Sequence, residues 1–140
     1  MSIPVNEARR LPKKTPAIEA EEKARSIMSK LFGIPLVKKK LEIFGKIQEF
    51  DLTNEEAKIV GDVKLYVTRT SSPTAEIDRM SAYVWFMEKL ESSSQTKWRK
   101  VIVGLGNPKI FQSYARRYNL WLGDIEIYFI DENEKVHKIR

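Results

Sequence analysis

Two carboxylates and a lysine in the first half of the chain have the types and spacing to do chemistry. Asp51 and Asp62 are separated by ten residues, and Lys64 follows Asp62 by two. Acidic residues two places before a lysine also occur as Glu21/Lys23 and Glu56/Lys58, so the tripeptide alone says little. The Asp62 pair differs in interrupting an apolar, β-branched run, Ile59-Val60-Gly61-Asp62-Val63-Lys64-Leu65-Tyr66-Val67, that reads as a strand. A period of two places Asp62 and Lys64 on one face, with Ile59, Val63, Leu65 and Val67 on the other. A hairpin loop over Glu55 to Lys58 sets residue 51 across from residue 62. The two carboxylates then meet on adjacent strands, where like charges repel unless a cation lies between them. Hard oxygen donors of this kind suit Mg²⁺ or Mn²⁺. A lysine one side chain along can orient or help deprotonate a water, or stabilise charge on a phosphate. The alternative is an ion pair of Asp62 and Lys64 at an exposed sheet edge.

The elements that must position these groups are legible around them. Thr15 reads as a helix cap with Pro16 at the first position, and Ala17, Ala20, Ala24, Ile27, Met28 and Leu31 recur at helical spacing up to Gly33. Glu21 borders that apolar stripe, whereas Glu19 and Glu22 point away. Strands are expected over 35–44, 46–53 and 58–68, with Gly45 at a bend and Asn54-Glu55-Glu56 at a turn. Ser72 and Pro73 open a second helix through Ile77, Met80, Val84, Met87 and Leu90. Trp85 and Phe86 widen its apolar surface and predict cover on more than one side. A polar linker over 92–96, a strand over 101–105, a helix over 108–118 and a strand over 125–130 complete the chain. Helices alternating with strands favour a mixed sheet with helices packed on it.

This arrangement resembles the PD-(D/E)XK nuclease superfamily: a helix, a hairpin carrying Phe50-Asp51 on one arm and Asp62-Val63-Lys64 on the other, then helix and strand. Phe50 stands where the pattern's nominal proline would be. The resemblance implies a restriction-endonuclease-like three-layer α/β core, a mixed central sheet flanked by helices in the order α-β-β-β-α-β-α-β. It is shared with archaeal Holliday-junction-resolvase-like and repair nucleases. It further implies that Asp51, Asp62 and the backbone carbonyl of Val63 hold Mg²⁺ or Mn²⁺, that Lys64 positions the attacking water, and that Glu21 completes the acidic pocket. The expected activity is phosphodiester hydrolysis by an endodeoxyribonuclease, with a homodimer as a plausible assembly. The other reading is a non-catalytic nucleic-acid-binding or interaction module on the same fold.

The whole chain agrees with an intracellular setting. It has 140 residues, one domain's worth, with no cysteine and a single histidine, His137. Thiol catalysis, disulfides and cysteine-based zinc sites are therefore excluded. No apolar run reaches membrane-spanning length, and no signal-like segment opens the chain, so a cytoplasmic protein without a membrane partner is expected. Lys, Glu and Ile richness would suit a thermophile. The net charge is +6, with 25 basic and 19 acidic residues. Residues 1–14 read as a flexible basic arm carrying Arg9, Arg10, Lys13 and Lys14, ahead of a single domain over 15–140. Together with Arg69, Lys97, Arg99, Lys100, Arg116, Arg117 and the Lys38-Lys39-Lys40 run, the arm supplies candidate phosphate contacts to DNA. Trp98 can stack on a base or anchor the core.

One further motif misleads. Residues 102–108, Ile-Val-Gly-Leu-Gly-Asn-Pro, together with Tyr114-Ala115-Arg116-Arg117-Tyr118-Asn119, resemble segments of bacterial-type peptidyl-tRNA hydrolases. Arg117 or Tyr118 stands where that family has its catalytic histidine, and too little chain follows to build the enzyme. A strand–turn–helix junction accounts for the glycines and the proline.

Overall fold

A computed structural model describes residues 14–67 and 74–140. The first helix, α1 (Pro16–Phe32), begins and ends where its capping residues dictate. Thr15 Oγ1 accepts from the Ile18 amide at 3.2 Å, and Gly33, at φ 72°, turns the chain while its N–H donates to the Ser29 carbonyl. Its buried residues, Ala20, Ala24 and Met28, lie four apart and form one narrow stripe.

Six strands follow in strict sequence order across one sheet: β1 (Val37–Ile43), β2 (Lys46–Asn54), β3 (Ile59–Tyr66), β4 (Arg99–Gly106), β5 (Glu126–Ile130) and β6 (Val136–Lys138). β1, β2 and β3 pair antiparallel through two tight turns, and β5 pairs antiparallel with β6. The β3/β4 and β4/β5 pairs are parallel, and each needs a crossover. α2 (Thr74–Ser94) and α3 (Pro108–Arg117) supply them. Two crossovers of the same hand progressing in one direction put both helices on one face of the sheet.

The core divides accordingly. On one face Phe50, Val60, Ile102 and Ile127 pack against Met80 and Met87 of α2 and Phe111 and Tyr114 of α3. On the other, Leu52, Val63, Val101 and Val103 pack against Ala24 and Met28 of α1. The expected α/β organisation, a mixed sheet with helices on both faces, is therefore present.

The structure corrects two expectations and, for Trp98, decides between the two readings in favour of the core anchor. The order ends in a sixth strand, β6, because a three-residue polar edge strand carries no apolar alternation to announce it. Trp85 is 57 % exposed, so α2 is covered on one side and not on several. Trp98 is buried, its indole N–H donating to Ser94 Oγ at 2.9 Å and Lys58 lying 5.0 Å from its ring, which makes it a core anchor and not a stacking platform. The Gly104-x-Gly106-Asn107 segment is the strand–turn–helix junction its composition suggests. Asn107 caps α3, its Oδ1 accepting from the Lys109 amide at 3.0 Å. Among the described residues no helix is long and apolar enough to cross a membrane.

Gly104 has a steric reason. A Cβ built there would sit 2.4 Å from the Phe111 ring, which is itself stacked on Tyr66 with centroids 5.5 Å apart. Gly104→Ala is expected to cost about 1–3 kcal/mol through this overpacking, read as a lowered urea midpoint with an unchanged m-value.

Candidate active site

The site forms where the sheet opens. The β2/β3 ladder runs Asn54↔Ile59, Thr53↔Val60, Leu52↔Gly61 and then stops. The four-residue loop expected over Glu55 to Lys58 is the one observed, and continuing its register by one step sets Asp51 level with Asp62. A continued ladder would give the Val63 N–H a β2 carbonyl as partner. Here the Asp51 carboxylate takes that place, Oδ2 accepting from Val63 N at 3.0 Å.

A β-bulge makes this possible. Between Val37↔Thr53 and Lys39↔Phe50, β1 advances two residues while β2 advances three. The extra residue turns Phe50 into the α2-side core and still leaves Asp51 aimed toward Asp62, two consecutive side chains that an unbroken strand would send to opposite faces. Bulged backbone leaves a main-chain carbonyl unpaired in the ladder, and Arg25 of α1 donates to the Asp51 carbonyl at 3.0 Å.

Asp62 lies in the interior of the sheet at 2 % exposure, so it is no edge ion pair. Its Oδ2 is ion-paired with Lys64 Nζ at 2.7 Å, and among the described residues this ammonium is the partner of the buried oxygen. Burial pushes the Asp62 carboxyl up to about 8, helped by the hydrogen-bonding Asp51 carboxylate and opposed by the Lys64 ammonium. Lys64 Nζ also lies 4.2 Å from the centre of the Tyr83 ring, so the ring face shields it. Tyr83 is pushed up to about 12 by burial and then by the carboxylates of Asp62, Asp51, Glu49 and Glu21. Its hydroxyl is 3.4 Å from Gln48 Nε2.

Glu21 reaches the pair through an intermediary. Lys38 Nζ lies 3.0 Å from Glu21 Oε2, 3.6 Å from Glu49 Oε1 and 3.9 Å from Asp51 Oδ1. Among the described residues no group of three His, Cys, Asp or Glu side chains is gathered tightly enough to hold a metal ion. Asp51 and Asp62 alone nevertheless fit a hard divalent cation. They offer two buried carboxylates on adjacent strands, and Mg²⁺ is commonly held by one or two carboxylates with waters and phosphate completing its shell.

Among the described residues, the candidate phosphate contacts other than Lys38 are mostly engaged elsewhere. Arg9, Arg10, Lys13 and Arg69 lie outside the described residues. Lys14 pairs with Glu22 at 2.8 Å, and Lys97 with Asp124 at 2.6 Å. Arg99 is clamped by Glu126 at 2.7 and 2.9 Å and stacks 4.0 Å from Phe32, on the α1 side of the sheet. Lys100, 4 % exposed, is held by Glu91 and Asp124, both at 2.8 Å, so its ammonium is committed inside the fold. Arg116 and Arg117 are exposed in the last turn of α3. Of the lysine run, Lys38 joins the acidic cluster and Lys39 pairs with Glu55.

Sequence reasoning missed Tyr83 as a site residue and placed Lys38 only in a generic basic run. Tyr83 was findable, since it stands three residues after Met80 and four before Met87, on the sheet-facing side of α2. Lys38 was not, because its place depends on the bulge opposite it. Comparison with family models, curated proteins and solved structures finds no match to this chain.

The raised Asp62 carboxyl fixes a pH dependence. Unfolded, the group ionises near 3.8; folded, near 8. Between those values the folded state binds the extra proton, so Asp62 lowers stability as pH rises through that window and adds no further slope outside it. Asp62→Asn is expected to raise the melting temperature at about pH 9 and to lose that gain toward about pH 4, measured by differential scanning fluorimetry.

Proposed function

We propose that this chain is a metal-dependent nuclease of restriction-endonuclease-like fold that hydrolyses phosphodiester bonds, with DNA as substrate. The observation that carries the reading is the buried Asp51/Asp62 pair at the opened β2/β3 ladder, with Lys64 2.7 Å from Asp62. Asp51 serves the Val63 N–H, but Asp62 accepts from no backbone group among the described residues, and a structural purpose at position 62 would be met at lower cost by an apolar residue. The α/β order and the spacing of Asp51 and Asp62-Val63-Lys64 support it by their resemblance to the PD-(D/E)XK pattern.

In this reading Asp51 and Asp62, with the Val63 carbonyl, hold Mg²⁺ or Mn²⁺. When bound, the ion supplies Lewis-acid stabilisation at the phosphate and a water of lowered pKa. The protein's own groups do the rest. The Asp51 carboxylate is fixed by the Val63 N–H, so it meets its ligand without reorganising. Lys64, pinned between Asp62 and the Tyr83 ring, orients the attacking water and faces the charge that develops on the phosphoryl oxygens. Tyr83 and the buried strand floor limit bulk water. Glu21 and Lys38 bound the pocket on the α1 side and set its net charge.

A second reading, a non-catalytic nucleic-acid-binding module, draws on one observation. Lys38 and Lys64 already place two ammonium groups against the acidic cluster, which can balance it without a metal. The test is cleavage of a labelled DNA panel in Mg²⁺ or Mn²⁺. Wild type is expected to cut at least one substrate, Lys64→Ala to lose about 100-fold or more in rate, and Asp62→Asn to lose cleavage while remaining folded. Salt-sensitive binding by all three proteins with no cleavage by any would establish the binding module instead.

A further inference from the structure

Beside the candidate site lies a groove of about 310 Å³, between the β1–β2 turn and α2, within the size range of ligand-holding clefts. Its walls include Phe44, Ile47 and Trp85, exposed by 67, 64 and 57 %. Side chains this large and apolar gain nothing for the fold by standing in water. Among the described residues, the charged ones lining the groove are Lys46 and Lys89, and neither is ion-paired there. Lys89 Nζ sits 5.7 Å from the Trp85 ring.

Phe44 is the most informative of these residues. It and Gly45 are the two residues between the paired ends Ile43 and Lys46, with φ of 46° and 80°. Positive φ at both positions marks a type I′ hairpin turn, whose first place favours Asn, Asp or Gly. A phenylalanine there is a backbone outlier that stability alone would remove. The turn is also tied down, the Phe44 N–H donating to Ser93 Oγ of α2 at 2.9 Å. The ring is thus presented, strained and pre-positioned, at the mouth of the groove.

The groove shares a wall with the acidic pair. Gln48 lines the groove and bonds the Tyr83 hydroxyl; Phe86 lines it and meets the Tyr83 ring edge-on at 5.3 Å. Tyr83 in turn covers Lys64. A second copy of the chain is a poor occupant, since it would bring one lysine rim against another with no lining carboxylate to answer it. Unpaired nucleobases stack on aromatic faces while their phosphates meet lysines. Bases within a duplex are already stacked and cannot offer their faces.

We propose that the Phe44–Trp85 groove binds unpaired bases of the nucleic-acid strand whose phosphodiester lies at Asp62, so that the substrate has single-stranded character. This rests on the nuclease reading and narrows it. The experiment measures fluorescence anisotropy with a labelled oligo-dT and a blunt duplex of equal length, in chelator, for wild type, Phe44→Asn and Trp85→Ala. Phe44→Asn relieves the strained turn, so loss of fold cannot mimic loss of binding. Each variant is expected to weaken oligo-dT binding by about tenfold or more, leave duplex binding within about twofold, and slow cleavage of substrates with unpaired segments only. Oligo-dT binding equal to wild type would overturn the proposal, as would parallel loss on the duplex. So would a wild-type dimer that Trp85→Ala dissociates, by sedimentation velocity, without change in oligo-dT affinity. Failure of the nuclease reading would show separately, as absent Asp62-dependent cleavage of every substrate whatever the groove variants do.

Discussion

Bringing two carboxylates together inside a protein runs against both charge repulsion and the loss of hydration, and the centre of this fold is arranged around that conflict. Asp51 and Asp62 are both buried, on neighbouring interior strands. The ladder between those strands breaks where they meet, one carboxylate replaces the lost backbone partner of Val63, and ammonium groups approach from two sides. Each of these features would be a defect in a sheet built for stability alone. Together they leave a pocket whose negative charge is answered from either face, by the Lys38 ammonium beside α1 and by the Lys64 ammonium beneath α2.

The bulge in β2 is the device that reconciles the pocket with the core. Without the extra residue, either Phe50 or Asp51 would face the wrong way, and the sheet would lose a fully buried aromatic or the acidic pair. With it, Phe50 packs edge-on against Tyr83 with ring centroids 6.1 Å apart, and the helix that covers the core also covers the lysine. Packing and chemistry are held by the same side chains.

How much of this the sequence announced depends on the range of the determinant. α1 was legible from Thr15 through Gly33 because its caps are local, and the hairpin register was legible because the loop length sets it. The face shared by Asp62 and Lys64 followed from strand period alone. The bulge was not legible, since Gln48-Glu49-Phe50-Asp51-Leu52 alternates no differently from a regular strand, and the position of Lys38 was lost with it. β6 was hidden because an edge strand with little buried surface leaves no pattern. Lys100 looked like a surface cation beside Lys97 and Arg99. Its burial depends on Glu91 and Asp124, which approach from elsewhere in the chain.

The six strands lie side by side in the order in which they occur along the chain. Every strand therefore finds its partner in the segment just before or just after it, and the loop that each new pairing closes is short wherever the pairing is antiparallel. Such a topology keeps the mean separation of contacting residues low, which favours rapid folding and lets the sheet grow from one edge as the chain emerges. The three-stranded antiparallel half holding Asp51 and Asp62 can form from local turns alone. The parallel half must wait for α2, and α2 is also what shuts the carboxylates away from water. The most unfavourable electrostatic step of assembly is thereby deferred until the largest helix docks and the greatest apolar burial is available to drive it.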